Sequence, residues 1–321
     1  MQPSTLPGVR GERLDTSSGA KALRRGRTLA GLLFSAPAIL GLLIFTLYPM
    51  LASLYYSFTR YSVMKPPVWV GATNYAHLAH DELFWKSLAN TAYYAVIAVP
   101  LGIVVALGLA LLLNMKVRGQ ALYRTFFFVP SIVPLVASSV LWIWLFNPQN
   151  GAINALLRPI FASLGLGEPP GWFADPVWSK PAIILWSLWG VGGSMVIFLA
   201  ALQDVPQELH EAAEVDGARA WHRVRHITLP FISPQILFVL IMGMIGAFQF
   251  FTPAYVMTQG TGGPVDSTLF YSLYLFNVAF ADFKMGYACA LAWILFLLIL
   301  AFTALIFRTS ARFVYYAGEA R

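Results

Sequence analysis

The chain has 321 residues, of which 58% are hydrophobic and only 11% charged, and its mean hydropathy is +0.67. A soluble domain carries about 25% charged residues, so water is excluded as the main solvent for most of this length. The formal charge of +7 does not mark a nucleic-acid binder, because the Lys and Arg residues sit at the ends of apolar runs, where they meet lipid headgroups. The single cysteine, Cys289, excludes an intrachain disulfide framework and a multi-cysteine metal site.

Crossing a bilayer core takes about 20 apolar residues in helical form. The basic segment Lys21 to Arg27, followed by an apolar run, has the outline of a signal peptide. The run stays uncharged from Thr28 to Thr59 and has no small-residue cleavage site, so it reads as a retained first span. Six segments meet the length requirement: about 29–58, 87–113, 122–146, 181–203, 232–258 and 285–307. An even number puts both termini on one side. Fifteen Lys and Arg residues fall on the two tails and the second and fourth loops, against six on the other loops, so the positive-inside rule makes both termini and the fourth loop cytoplasmic. The expected organisation is all-α: a cytoplasmic tail over 1–28, a six-helix membrane domain over 29–307 and a cytoplasmic tail over 308–321.

Pro37, Pro49, Pro100, Pro130, Pro134 and Pro253 lie inside these spans, and Gly190, Gly192 and Gly193 cluster in the fourth, which predicts kinked helices. The plainer alternative is that the small residues let helices pack closely. The external segments 59–86 and 147–180 are rich in Trp, Tyr, Pro and Gly. They are long enough to dock a partner and too short to fold as a domain.

The loop between the fourth and fifth spans, 204–230, is the most informative segment. Pro206 suits the first turn of a helix, and Glu208 and Glu211 favour its positive end. Ala212 and Ala213 present a small-residue face that another surface can approach. Asp216-Gly217 reads as a stop and turn. A basic helix from about Ala218 to Ile227 then ends at Leu229-Pro230. From physics alone this helix–turn–helix could equally be an amphipathic hairpin whose Arg219, Arg223 and Arg225 touch anionic headgroups.

Glu211-Ala212-Ala213, Gly217 and Ile227-x-Leu229-Pro230, at these spacings, resemble the EAA loop of binding-protein-dependent ABC import permeases. Along most of its length the chain is similar to the sugar-type permeases of the maltose and glycerol-3-phosphate group. Phe34 to Pro49 resembles that group's first span. Gly71 to Tyr75, Phe84-Trp85 and Asn90-Thr91 resemble its first external loop, and Asn147-Pro148, Gly151, Asn154 and Trp172 its second. Phe248 to Phe251, Thr258 and Gly262-Gly263-Pro264 resemble its fifth span and the following turn. Val224 departs from the group, which often has Phe there, and the extra span and large periplasmic domain of the enterobacterial maltose subunit are missing.

The resemblance implies a type I importer permease in a bacterial or archaeal cytoplasmic membrane. It implies alternating access, with a second homologous permease, two ATPase subunits and an extracytoplasmic solute-binding protein as partners. The implied ATPase-coupling residues are Glu211, Ala212, Ala213, Asp216, Gly217, Ile227, Leu229 and Pro230. No phosphate loop of the form Gly-x-x-x-x-Gly-Lys-[Ser/Thr] occurs, so ATP and its Mg are expected on the partner ATPase and no cofactor on this chain. For a sugar path, Trp186, Trp189 and Ser194 of the fourth span and Phe248, Gln249 and Phe251 of the fifth offer aromatic faces and hydrogen-bonding groups. Ordinary packing is the competing role for each.

A secondary transporter would place Asp, Glu, Lys or Arg inside its spans, and the interiors of the expected spans hold none, Arg124 lying at a span end. An intramembrane enzyme would need chemistry that the five loop histidines, without His-Glu-x-x-His or Gly-x-Ser-x-Gly, do not supply. Neutral sugars rank ahead of glycerol 3-phosphate, because an anionic cargo calls for a cation in the path.

Overall fold

The computed structural model describes residues 31–115, 118–310 and 314. The expected N-terminal tail, Lys116 and most of the expected C-terminal tail lie outside the described residues. Helix α1, Gly31–Ser57, is long and apolar enough to cross a membrane. The described residues up to Tyr55 form one compact unit and those from Tyr56 onward a second.

The second unit opens with the one departure, among the described residues, from an all-α chain, an antiparallel hairpin of β1, Thr59–Ser62, and β2, Lys65–Trp69, with Thr59 opposite Trp69 and Arg60 opposite Val68. Pro66 and Pro67 lack backbone donors, which suits β2 to an edge. Helix α2, Thr73–Leu78, is tied to the hairpin base by Asn74, whose Nδ2 donates to the carbonyls of Ser57 and Thr59 at 2.8 and 2.9 Å.

Helix α3, Glu82–Asn114, starts five residues before the expected second span. The Asp81 carboxylate caps it, accepting from the N–H groups of Leu83 and Phe84 at 3.0 and 3.2 Å. Its buried Ala95, Ala98, Ala106 and Ala110 recur every three to eight residues along one side. Small side chains there let neighbouring helices approach closely.

The third expected span is not one kinked helix. It comprises α4, Gln120–Ile132, and α5, Leu135–Leu145, bent by 100°. Pro134 drives Val133 into extended backbone (φ −68°, ψ 130°) and so ends α4. After α6, Ala152–Leu164, the fourth expected span is likewise two helices, α7, Ser179–Trp189, and α8, Gly192–Gln203, bent by 46°. A Cβ on Gly192 would lie 2.4 Å from the carbonyl oxygen of Phe127 in α4, so close packing is the reason for glycine at that position.

Helix α9 spans Gln207–Val215. Helix α10 covers Ala220–Phe231 and turns by 66° into α11, Ser233–Phe248. This corrects two boundaries. The basic helix runs through Leu229-Pro230 instead of ending there, and the expected fifth span stops at Phe248. Residues 252–258 form a separate helix, α12, Thr252–Thr258, with Pro253 in its first turn. Helix α13, Tyr271–Ala281, is short, and α14, Met285–Ser310, is unbroken. Among the described residues three helices are thus long and apolar enough to cross a membrane alone, and up to six spans result if each bent pair counts as one.

Helix α3 is the hub, packing against α7, α8, α11 and α13. One apolar cluster gathers Tyr94, Trp186, Phe250, Phe270 and Tyr271. A second gathers Ala106, Met195, Phe198 and Ile232.

Residues that carry the family resemblance meet in space. Trp172 Nε1 donates to Asn154 Oδ1 at 2.7 Å, while Asn154 Nδ2 donates to the carbonyls of Pro148 and Pro170. Asn90 Nδ2 donates to the carbonyls of Asp266 and Leu269, and the Thr91 hydroxyl accepts from Tyr271 N–H at 2.8 Å. These bonds hold the turn that contains Gly262 and the cis Gly263-Pro264 bond against α3.

Candidate functional site

Helix α9 ends in a two-bond closure. Ala218 N–H donates to the Ala213 carbonyl at 2.9 Å and Gly217 N–H to the Glu214 carbonyl at 3.0 Å. This C-terminal motif requires a left-handed residue, and Gly217 supplies it at φ +78°. Glu211, Ala212, Asp216 and Gly217 are exposed and Ala213 is half-buried. Glu211 Oε1 accepts from Gln207 Nε2 at 2.8 Å. Ile227, Leu229 and Pro230 are half-buried instead, and Leu229 packs on the second apolar cluster. The eight loop residues therefore divide into an exposed group around the turn and a group that seats α10 on the helices behind it.

Two features of this loop escaped the sequence reading. Val215, 89% exposed, and Trp221, 64% exposed, put apolar surface beside the turn. Arg223 pairs with Glu214, bridging α10 and α9 across Gly217. Each was visible as a residue type, but only the turn brings them to one end of the loop.

A cavity of about 280 Å³ lies between α3, α7, α8 and α11. Of the six path candidates only Ser194 lines it. Its other polar groups are the Tyr94 hydroxyl and the Ser187 hydroxyl, which donates to the Ile184 carbonyl at 2.7 Å, and its apolar wall includes Val191, Phe238 and Met242. Tyr94 follows Asn90-Thr91 by three residues, but nothing in its own neighbourhood distinguishes a cavity-lining hydroxyl from that of the adjacent Tyr93. Trp186 and Phe248 are buried in the apolar core, Phe248 with its ring centroid 5.1 Å from that of Phe302. Trp189 packs edge-on against Trp142, and Phe251 against Phe276 and Tyr255. Gln249 is exposed at the break between α11 and α12. Packing is the observed role of the four aromatic candidates.

Residues 98–314 match the model of the family described as "binding-protein-dependent transport system inner membrane component". The chain belongs to this family. The permease is 43% identical to the probable ABC transporter permease protein YesP of Bacillus subtilis over 95% of this chain and 99% of that one. It is 38% identical to the lactose transport system permease protein LacF of Rhizobium radiobacter, over 88% of this chain and 94% of that one. Its fold matches a chain in a crystal structure of a bacterial ABC transporter involved in the import of the acidic polysaccharide alginate. The TM-score is 0.78 at 23% identity, over 93% of this chain and 100% of that one. The permease is thus the membrane-embedded component of an ABC importer and not its ATPase.

Proposed function

We propose that this permease pairs with a second, homologous permease to form an alternating-access path for a neutral di- or oligosaccharide. An extracytoplasmic solute-binding protein delivers the sugar, and two ATPase subunits, which hold ATP and Mg, drive its passage. In this reading the chain has six spans, with both termini and the loop 204–230 in the cytoplasm of a bacterial or archaeal cell, and the distribution of Lys and Arg supports it. The observation that carries the reading is the face of exposed Glu211 and Ala212 with half-buried Ala213, ending at the left-handed Gly217. That face is small enough to enter a groove on the ATPase, while Leu229 anchors the loop to the membrane helices. The cavity supports a sugar rather than an anion, because its polar lining consists of the hydroxyls of Tyr94, Ser187 and Ser194, with no cation. The names of the relatives, which include a lactose permease, point the same way.

The test is Ala212→Arg in the assembled transporter in liposomes. Ala212 is exposed, so the spans are untouched and the large cation obstructs only the docking face. Loss of ATPase copurification or of solute-stimulated hydrolysis, with normal membrane insertion, is the expected result. Wild-type assembly and coupling in this variant would overturn the reading of the loop.

A further inference from the structure

The hairpin formed by β1 and β2 carries exposed apolar groups. Met64 at its tip is 82% exposed, and Val63, Val68 and Trp69 are each more than half exposed. Apolar side chains grouped on a protruding element mark an interaction surface, and Met, Trp, Tyr and Arg are the residue types enriched at protein–protein contacts. The hairpin is also held rigidly. Asn74 binds its base, and α14 approaches so closely that a Cβ on Gly286 would fall 2.1 Å from the Thr59 carbonyl oxygen. A surface fixed before binding loses less entropy on association. Strand addition is an unsuitable mode of contact, because Pro66 and Pro67 deprive β2 of donors.

Against the hairpin lies a pocket of about 640 Å³, lined by Arg60, Lys65 and Lys284 as well as His77, Asn74 and Tyr287. Lys284 has Asp282 at 3.6 Å, but among the described residues neither Arg60 nor Lys65 has an ion-pair partner. No carboxylate lines the pocket. The combination is an apolar tip beside a cationic recess. A free anion would need only the recess. An acidic protein surface with an adjoining apolar hollow matches both, and like-charged partners would be rejected.

We propose that this hairpin and its pocket form the docking surface for the solute-binding protein, with Val63 and Met64 entering an apolar hollow and carboxylate side chains of that protein entering the Arg60/Lys65/Lys284 recess. The proposal rests on the topology given above, which puts the segment between the first two spans outside the cell.

The experiment uses the complete transporter in nanodiscs and measures binding of its fluorescently labelled, solute-loaded binding protein. Met64→Asp, and separately Arg60→Glu with Lys65→Glu, are expected to weaken binding tenfold or more. The charge variant should also flatten the dependence on salt, while assembly and ATP hydrolysis without binding protein stay unchanged. Wild-type affinity and salt dependence in both variants would overturn the proposal. Labelling of Met64→Cys in intact cells by a membrane-impermeant maleimide, with Cys289→Ser as background, reads the topology separately. Absence of external labelling refutes the topology and the docking surface together, whereas labelling with unchanged binding refutes docking alone. Quenching of Met64→Trp fluorescence by brominated lipid, unaltered on adding binding protein, would assign the tip to the membrane and also overturn the proposal.

Discussion

The Tyr287 hydroxyl donates to Asp81 Oδ2 at 2.5 Å, and the Tyr274 hydroxyl donates to the same oxygen. With Oδ1 capping α3, one carboxylate joins the start of α3 to α13 and α14. Burial alone would push the Asp81 pKa up, but the two phenols and the N–H groups of Phe84 and Leu83 outweigh it and hold the pKa below its ordinary value. A depressed folded pKa gives stability that is present above the unfolded value, about 3.9, and lost as pH falls through the folded value. The thermal midpoint of the purified permease should therefore drop below about pH 4. Asp81→Asn should melt lower than wild type at pH 7, with the difference shrinking in acid. Loss of the cap in Asp81→Ala should cost about 1 kcal/mol, read by thermal melts in detergent between pH 7 and 3. Parallel wild-type and Asp81→Asn curves across that range would contradict the assignment.

Gly286 and Gly108 make opposite predictions. A methyl group at Gly286 meets the Thr59 carbonyl oxygen at 2.1 Å, whereas one at Gly108 meets nothing within 4 Å. Gly286→Ala should destabilise by roughly 1–3 kcal/mol through overpacking. Gly108→Ala, in a helix interior, should be neutral or stabilising by up to about 1 kcal/mol. Thermal unfolding of the two variants side by side checks the contrast, and an equal effect at both positions would refute it.

The membrane character of the chain and the loop that carries the family signal were legible because each depends on local pattern: long uncharged runs, and fixed residues at fixed spacing. The breaks were only half legible. Pro134 announces a disturbance, but the 100° turn there depends on what α4 and α5 pack against. Nothing in the run before Phe84 showed that α3 begins at Glu82, because Asp81 draws part of its role from Tyr274 and Tyr287, about 200 residues away. The path candidates are polar and aromatic residues in mid-span. Packing claimed Trp186 and Phe248, and the cavity took its polar lining from Tyr94 and Ser187, which had no local signal. The hairpin escaped the period-2 test because Pro66 and Pro67 interrupt the pattern.

The cavity gives a test that separates path from packing. Tyr94→Phe removes one hydroxyl and Ser194→Ala another, without altering the apolar wall. If each hydroxyl makes one hydrogen bond to the passing sugar, worth about 1 kcal/mol, the half-saturation for solute uptake should rise about fivefold per substitution. Assembly and thermal midpoint should stay near wild type. Phe248→Ala should instead lose about 3–5 kcal/mol of stability with no selective change in half-saturation for the protein that remains folded. Uptake assays paired with melting curves make the comparison, and unchanged half-saturation in both hydroxyl variants would remove the cavity from the path.

The Glu214–Arg223 pair spans the turn that the coupling proposal depends on. Both side chains keep solvent contact, at 61% and 23% exposure, so the pair should contribute no more than about 1 kcal/mol to stability. The pair joins α9, which carries Ala212 and Ala213, to α10, which continues through a bend into α11, so its expected role is to hold the angle between them. Glu214→Lys and Arg223→Glu should each leave membrane insertion and ATPase copurification intact while reducing solute-stimulated hydrolysis severalfold. The double exchange, Glu214→Arg with Arg223→Glu, should restore it, since the attraction survives with its ends reversed. Restoration distinguishes a pair that sets geometry from two residues that each touch the ATPase. In the latter case the double variant would be at least as defective as the worse single one. Solute-stimulated ATP hydrolysis in liposomes at 50 and 500 mM salt, where the Debye length is about 14 and about 4 Å, adds a second check. The wild-type coupling ratio should fall at the higher salt as the exposed pair is screened, and the singles, having no pair to lose, should show the smaller change.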